Sequence, residues 1–339
     1  MVRNSVKDLF AFEEDKISHK DDTVLIFDGH NLAHKTLFTS SFQNPEDTEF
    51  RLWKHQLMNS ILYTINKFKP TKVVFTFDTK NSWRYDIYPE YKATRKANRA
   101  KQKQTINFDV WYPVLNSFIE DLKEIFCNTY VLQIPNCEAD DIIAVLCKEV
   151  FDPTIKIINI TSDTDMIQLL SLKNVSQYDG KKILNCIDPE KEIELKVLTG
   201  DTSDNIKGIK YGVGKATAEK IIKTGLDNFI MNECNKILTS ADVEKVKKQW
   251  RDNFDGMDLE EIKKEVAKRI RDNYELNTQL IKFDYIPTEV KQRIINTFNE
   301  YDVKELDSKK VVNFFIRNKM TRHLENWNKF SDLIKSLNS

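Results

Sequence analysis

The sequence lacks any run of about 18 apolar residues, so no helical membrane span is expected. It has no C-x-x-C pair. Its five cysteines, Cys127, Cys137, Cys147, Cys186 and Cys234, are scattered and odd in number, which excludes a zinc ribbon or a disulfide frame and reads as reduced thiols. Five scattered histidines leave carboxylates as the available metal ligands, favouring Mg²⁺ or Mn²⁺ over Zn²⁺. There is no net charge, since 52 basic residues balance 52 acidic ones. A polyanionic partner must therefore be sought in local charge placement. No long-period repeat or low-complexity tract occurs. The start of the chain is polar, with Glu13–Glu14–Asp15 and no apolar run behind a basic segment, which argues against a secretory signal.

With 339 residues, 40% of them hydrophobic, the chain can bury a sizeable core as one large domain or two modest ones. A polar leader, 1–21, precedes Thr23–Asp28 (TVLIFD), a short apolar run ending in an acid that predicts a buried strand. Lys72–Asp78 (KVVFTFD) repeats the pattern, and Tyr130–Ile134 and Ile155–Ile160 read as further strands. Helices are predicted over 49–68, 108–126 and 138–150, and again after Asp163. Strands alternating with helices imply an α/β fold with a mostly parallel, doubly wound sheet. From about 189 the pattern is helical to the end, so an α/β half, 22–200, precedes an all-helical region, 201–339.

In open α/β sheets the functional crevice lies at the carboxyl ends of the strands. Asp28 ends the first strand and Asp78 the second. Glu138, Asp140 and Asp141 open the helix after the third, and Asp163 and Asp165 follow the fourth. Asp201 and Asp204 lie in Gly200–Ile206 (GDTSDNI). Singly, these acids have ordinary explanations as helix-dipole partners, N-caps or turn residues. Coincidence at four strand ends is a poor explanation. So many carboxylates at one edge repel unless cations sit among them, and hard divalent cations with oxygen ligands meet that need. A haloacid-dehalogenase-type phosphatase would want a second Asp two residues after Asp28, where His30 stands.

Between the second strand and the helix at 108 lies a basic insert. Residues 80–103 carry Lys80, Arg84, Lys92, Arg95, Lys96, Arg99, Lys101 and Lys103 against Asp86 and Glu90, with Trp83, Tyr85, Tyr88 and Tyr91 interleaved. Basic groups neutralise phosphates and aromatic faces stack on unpaired bases; the plain alternative is a solvated charged helix with amphipathic aromatics. Further on, Gly212–Val213–Gly214 opens a helix. It has neither P-loop spacing nor a preceding strand, and suits a helix–hairpin–helix grip on a duplex backbone; a tight interhelical turn is the plain alternative.

Together these residues resemble the 5′-nuclease family of flap endonucleases and 5′→3′ exonucleases. Asp28–Gly29–His30–Asn31 looks like its first acid motif. Asp78 with Arg84 and Pro89–Arg95 (PEYKATR) resembles its second acid and arch, and Glu138–Asp141 (EADD) and Thr161–Asp165 (TSDTD) match the next acids. Gly200–Ile206 followed by Gly212–Gly214 is similar to its last acids and helix–three-turn–helix, with one more residue between Gly208 and Gly212 than polymerase-linked members have. Phe283–Pro287 (FDYIP) resembles the C-terminal part of the phage-type ribonuclease H of T-even phages.

The resemblance implies a PIN-like 5′-nuclease fold with a helical arch at about 80–107 and a helix–three-turn–helix at about 203–224 in a DNA-binding region. It implies two Mg²⁺, with Mn²⁺ as substitute. Asp28, Asp78, Glu138 and Asp140 would surround one, Asp163, Asp165, Asp201 and Asp204 the other, and Asp141 would ligate or sit behind them. A monovalent cation is expected at the helix–three-turn–helix. Lys92 and Arg84 would offset phosphate charge beside Asp28. Tyr91 would stack on a terminal base, Arg95, Lys96 and Arg99 would line the 5′ strand, and Gly212, Gly214, Lys215 and Thr217 would hold duplex phosphates. The implied partners are a DNA or RNA–DNA duplex with a 5′ end or flap, and a single-stranded-DNA-binding protein or the replication machinery. The implied setting is a phage protein acting as a monomer in the host cytoplasm. The competing readings are a non-catalytic junction-binding protein on the same scaffold and a PIN-like ribonuclease.

Overall fold

The computed structural model describes residues 22–39, 49–95, 106–250, 254 and 256–337; the leader 1–21, and Lys96 and Arg99 of the basic insert, lie outside the described residues. Strand β1 (Thr23–Asp28) leads into α1 (Gly29–Thr39), α2 (Arg51–Phe68) and β2 (Lys72–Phe77). Then come α3 (Arg84–Ile87), α4 (Phe108–Ile125), β3 (Tyr130–Gln133) and α5 (Ala139–Val145), which continues as a π turn over Leu146–Val150. β4 (Lys156–Ile160), a 3₁₀ segment (Asp165–Ser171) and β5 (Val175–Tyr178) complete the sheet. Its strands are all parallel, in the order β3-β2-β1-β4-β5.

Both faces of the sheet are covered, which is why β1, β2 and β4 read as apolar runs. Leu25 and Phe27 of β1 join one core with α1, α2 and α4, where Trp53, Trp111 and Phe118 are buried. Val24 and Ile26 point the other way, into a core formed with α5. Strand β5 (VSQY) has no apolar run and no sequence signal; its place beside β4 is set by pairing. Helix α1 follows the first acid motif directly, with Asp28 as its N-cap accepting from the Asn31 backbone N–H.

The region read as wholly helical contains α6 (Pro189–Thr199) and then a short antiparallel hairpin, β6 (Gly200–Asp201) and β7 (Ile206–Lys207). Helices α7 (Lys215–Thr224), α8 (Leu226–Asn235) and α9 (Ser240–Trp250) follow, and α10 (Leu259–Ile281) is the longest of the described helices. A third core joins α6 to α10 through Leu198, Ile221, Ile230, Val266 and Ile270. The chain then returns to the sheet. Helix α11 (Thr288–Asn299) covers the α5 face through Val290 and Ile294. Helices α12 (Ser308–Arg317), α13 (Thr321–Glu325) and α14 (Trp327–Lys335) close the opposite core through Phe314, Phe315 and Ile334.

Gly29 begins α1 directly behind Asp28, and a Cβ there would lie 2.2 Å from the Phe77 ring. Phe77 is itself buried at the end of β2. Gly29→Ala is expected to lower the unfolding free energy by about 1–3 kcal/mol through overpacking, measured by urea denaturation. An unchanged midpoint would show that the ring moves aside freely.

Candidate metal and nucleic-acid site

Strands β1 and β4 lie side by side although β2 and β3 intervene in sequence, so their carboxyl ends border the switch-point crevice. The Asp28 carboxylate sits there, accepting from the Asn31 backbone N–H at 3.1 Å and from Thr161 Oγ1 at 2.9 Å. Asp78 accepts from the Ala139 N–H at 2.8 Å, while its own N–H donates to His30 Nδ1 at 3.0 Å. Asp28, Asp78, Glu138, Asp140 and Asp163 all line one cavity of about 870 Å³, shared with His30, His34, Tyr85, Lys92 and Arg95.

Crowding sets the protonation of this cavity. Burial, then the Asp78 charge, raises Asp28 to about 7. Burial and the charges of Asp163, Asp28 and Asp78 push Asp140 well above the usual carboxylate range. Glu138 goes the other way: burial alone would raise it, but Lys92 and Arg84 hold it below its ordinary value.

Asp165, Asp201 and Asp204 form a second group, with ligand atoms within 4.8 Å of one another. Lys196 of α6 reaches into it, touching Asp165 and lying 2.7 Å from Asp201. Burial outweighs that ammonium and leaves Asp165 at about 6. Asp204 is held from the basic insert, by Arg95 at 2.6 Å and by the Tyr91 hydroxyl at 2.9 Å. The grouping differs from expectation in one respect: Asp163 lines the cavity with Asp28 and Asp140. Its Oδ1 accepts from the Asp165 N–H at 2.9 Å, so it stands between the two groups.

Two expected roles change, those of Arg84 and Tyr91, while Asp141 takes the second of its two expected places, behind the cavity acids. Arg84 is buried, donating to Glu138 at 3.2 Å, to Asp141 at 3.0 Å and to the Leu280 carbonyl at 2.9 Å; held in this way, it cannot reach a phosphate in the cavity. Asp141 is fully buried, accepting from Arg84, Trp83 Nε1 and the Glu138 N–H, so it positions Arg84 and caps α5. Tyr91 is 3% exposed and packs with Ile193, Val197, Ile206 and Leu280, which leaves no face for a base. Lys92 does face the cavity, with its ammonium on Glu138 and 3.8 Å from Asp204.

In the turn before α7, Gly212 has φ +84° and, like Gly214, has open space where a Cβ would lie. Lys215 is exposed and Thr217 half-buried at the start of α7. Lys196, His30, His34 and Tyr85 were not assigned roles from sequence. Lys196 reads there as one of several lysines on an amphipathic helix, and the histidines carry no ligand spacing.

Comparison with known proteins places most of the chain in two adjoining family models. Residues 23–197 match the model of the 5′-3′ exonuclease N-terminal resolvase-like domain, and residues 188–330 match that of the T4 RNase H C-terminal region. The chain is 26% identical over 322 residues to the ribonuclease H of Enterobacteria phage T4, covering 91% of this chain and 95% of that one. It is 27% identical over 263 residues to the thermostable DNA polymerase I of Thermus thermophilus, covering 73% of this chain but 29% of the polymerase. In fold it resembles the 5′-exonuclease of phage T5 solved with zinc, at TM-score 0.54 and 19% identity over 83% of this chain and 99% of that one. A T5 flap endonuclease solved with DNA and metal ions also gives TM-score 0.54, at 18% identity over 83% of this chain and 100% of that one.

Asp28 carries a testable pH signature. It titrates at about 7 when folded against 3.8 ordinarily, so the folded state holds the extra proton between those values. The contribution of Asp28 to the stability of the metal-free protein is therefore greatest below that window and falls as pH rises through it, by up to about 1.4 kcal/mol per unit. In EDTA, the wild-type melting temperature is expected to fall more steeply than that of Asp28→Asn between about pH 4 and about pH 7. Parallel curves would refute the assignment.

Proposed function

The chain belongs to the 5′–3′ exonuclease family and is a nuclease, and from that premise we propose a structure-specific, divalent-metal-dependent 5′→3′ exonuclease and flap endonuclease. Its substrates in this reading are DNA and RNA–DNA duplexes with a 5′ end or flap. It leaves 5′-phosphate products and removes RNA primers or flaps in lagging-strand replication. The observation that carries the reading is the cavity lined by Asp28, Asp78, Glu138, Asp140 and Asp163, with Lys92 and Arg95 on its wall.

The donor set supports the cofactor. It consists of carboxylate oxygens, which suit Mg²⁺ or Mn²⁺. The five cavity acids would hold one ion and Asp165, Asp201 and Asp204 the other. When bound, such ions supply a nucleophilic water at neutral pH and balance charge on the scissile phosphate. The chain's own groups do the rest. Asp28 and Asp140, protonated more readily than free carboxylates, must release their protons to serve as ligands. Lys92 offers a charged donor to a non-bridging phosphate oxygen. Tyr85, on the cavity wall and 37% exposed, offers the stacking face that buried Tyr91 does not. Arg95, with Lys96 and Arg99, continues the 5′-strand path, and Gly212, Gly214, Lys215 and Thr217 take duplex phosphates without reading bases.

An end-labelled 5′-flap duplex tests the reading. Wild-type protein is expected to cut it at or near the junction, or stepwise from the 5′ end, with Mg²⁺ and not with EDTA. Asp140→Asn combined with Asp201→Asn should abolish cutting and leave duplex binding in place. Full-rate cutting by that double variant would sink the assignment, and tight binding without cutting by the wild type would move the function to junction binding.

Lys92→Ala separates chemistry from binding. Its single-turnover rate is expected to fall by about 10²–10³-fold while the dissociation constant for the flap stays near that of the wild type. Equal losses in rate and affinity would make Lys92 a binding group only.

A further inference from the structure

Asn277 lies in the last turns of α10 and is 2% exposed. Around it lie Ile193, Val197, Ile206, Leu280 and Ile281, a small apolar core where a buried amide costs free energy unless bonded. Its Nδ2 donates to two backbone carbonyls, Val197 and Lys207, each at 2.8 Å. One turn earlier, Asn273 Nδ2 donates to the Ile209 carbonyl at 3.0 Å. These three carbonyls bracket the hairpin that carries Asp201 and Asp204.

The hairpin does not support itself. It pairs only Gly200 with Lys207 and Asp201 with Ile206, and a short two-stranded ladder is marginal in water. The Val197 carbonyl lies in the last turn of α6, where helical partners run out. Close packing leaves little slack, since a Cβ on Gly200 would lie 2.5 Å from the Gly208 nitrogen and the Ile206 oxygen. The end of the same helix also ties down the other acid-bearing segments. Its Leu280 carbonyl accepts from Arg84, which holds Glu138 and Asp141. Its Ile281 carbonyl accepts from Gln168 at 3.2 Å, and Gln168 also donates to the Asp165 carbonyl at 3.0 Å.

We infer that Asn277, aided by Asn273, is a positioning residue that fixes Asp201 and Asp204 against Asp165 by clamping the hairpin to α10. The inference rests on the proposed metal-dependent nuclease reading and deepens it. Asn277 touches neither substrate nor metal; it acts through the carbonyls it holds. Partners of this outer kind are typically worth about 10–100-fold in metal affinity or activity.

The test compares Asn277→Leu, which keeps the volume and removes both donors, with the milder Asn273→Ala. Ile294→Ala, in the core under α11, is the destabilised control. Mg²⁺ alone is titrated calorimetrically into each metal-free protein well below its melting temperature. Single-turnover rate and KM on the flap duplex are then read against Mg²⁺ concentration. Asn277→Leu is expected to weaken one Mg²⁺ binding event by about 10–100-fold, with the cleavage rate recovering at high Mg²⁺ and KM little changed. Asn273→Ala should shift in the same direction by less, and it carries the test if Asn277→Leu does not fold. Ile294→Ala should melt lower yet bind Mg²⁺ as the wild type does. Wild-type Mg²⁺ binding in both asparagine variants, whatever their melting temperatures, would overturn the positioning role alone. A wild type that neither binds Mg²⁺ nor cuts would instead overturn the nuclease reading beneath it.

Discussion

Repulsion among carboxylates is the constraint that the rest of this structure answers. Two like charges about 4 Å apart near a protein surface cost about 4 kcal/mol, and this chain gathers nine acids along one edge of its sheet and the hairpin beside it. The protein supplies its own counter-charges from outside the acid-bearing segments. Arg84, Lys92 and Arg95 come from the basic insert and Lys196 from α6, and each makes its contact with a named carboxylate. Where burial outweighs the counter-charge, the carboxyl groups protonate more readily than free ones, as at Asp28 and Asp165. Docking of the insert is thus a consequence of the acid cluster.

Charge alone does not make a precise site, because ammonium groups on long stems tolerate many geometries. Precision comes from buried, directional hydrogen bonds with few alternatives. Arg84 spans Glu138, Asp141 and the Leu280 carbonyl. The Tyr91 hydroxyl lies 2.9 Å from both Glu138 and Asp204, and its single proton is donated to one of them at a time. Asn277 and Gln168 fasten the hairpin and the 3₁₀ segment to the end of α10. The far half of that helix shares a core with α7 and α8 through Val266 and Ile270, so one helix reaches from the glycine turn proposed to grip the duplex to the acids proposed to hold the metal ions.

The acids themselves were legible in sequence, because a strand buried on both faces announces its end with the first charge. TVLIFD and KVVFTFD are such strands, and the chain order of the motifs placed the remaining acids near them. The basic insert was legible as composition but not as structure. Nothing local distinguishes Arg84, which is buried under Trp83 and α10, from Arg95, which faces the cavity; burial is decided by α10, almost two hundred residues away. Tyr91 misled for the same reason. Lys196 and Asn277 were invisible because a polar residue on an amphipathic helix reads as solvent-facing. The one local hint was that Asn273 and Asn277 stand four apart, on a single helix face.

The zero net charge follows from the same physics. A chain that spread its 52 bases and 52 acids evenly would offer a polyanion no foothold. Here the two signs are segregated in sequence, acids at strand ends and bases in the insert, and are brought together in space at the site. The basic side chains that neutralise the acids therefore already stand where a phosphate would have to lie, next to the carboxylates that would hold its counter-ions. In the proposed function one set of charges does both tasks: it makes the acid cluster foldable, and it gives the backbone of a nucleic acid a cationic approach to those acids.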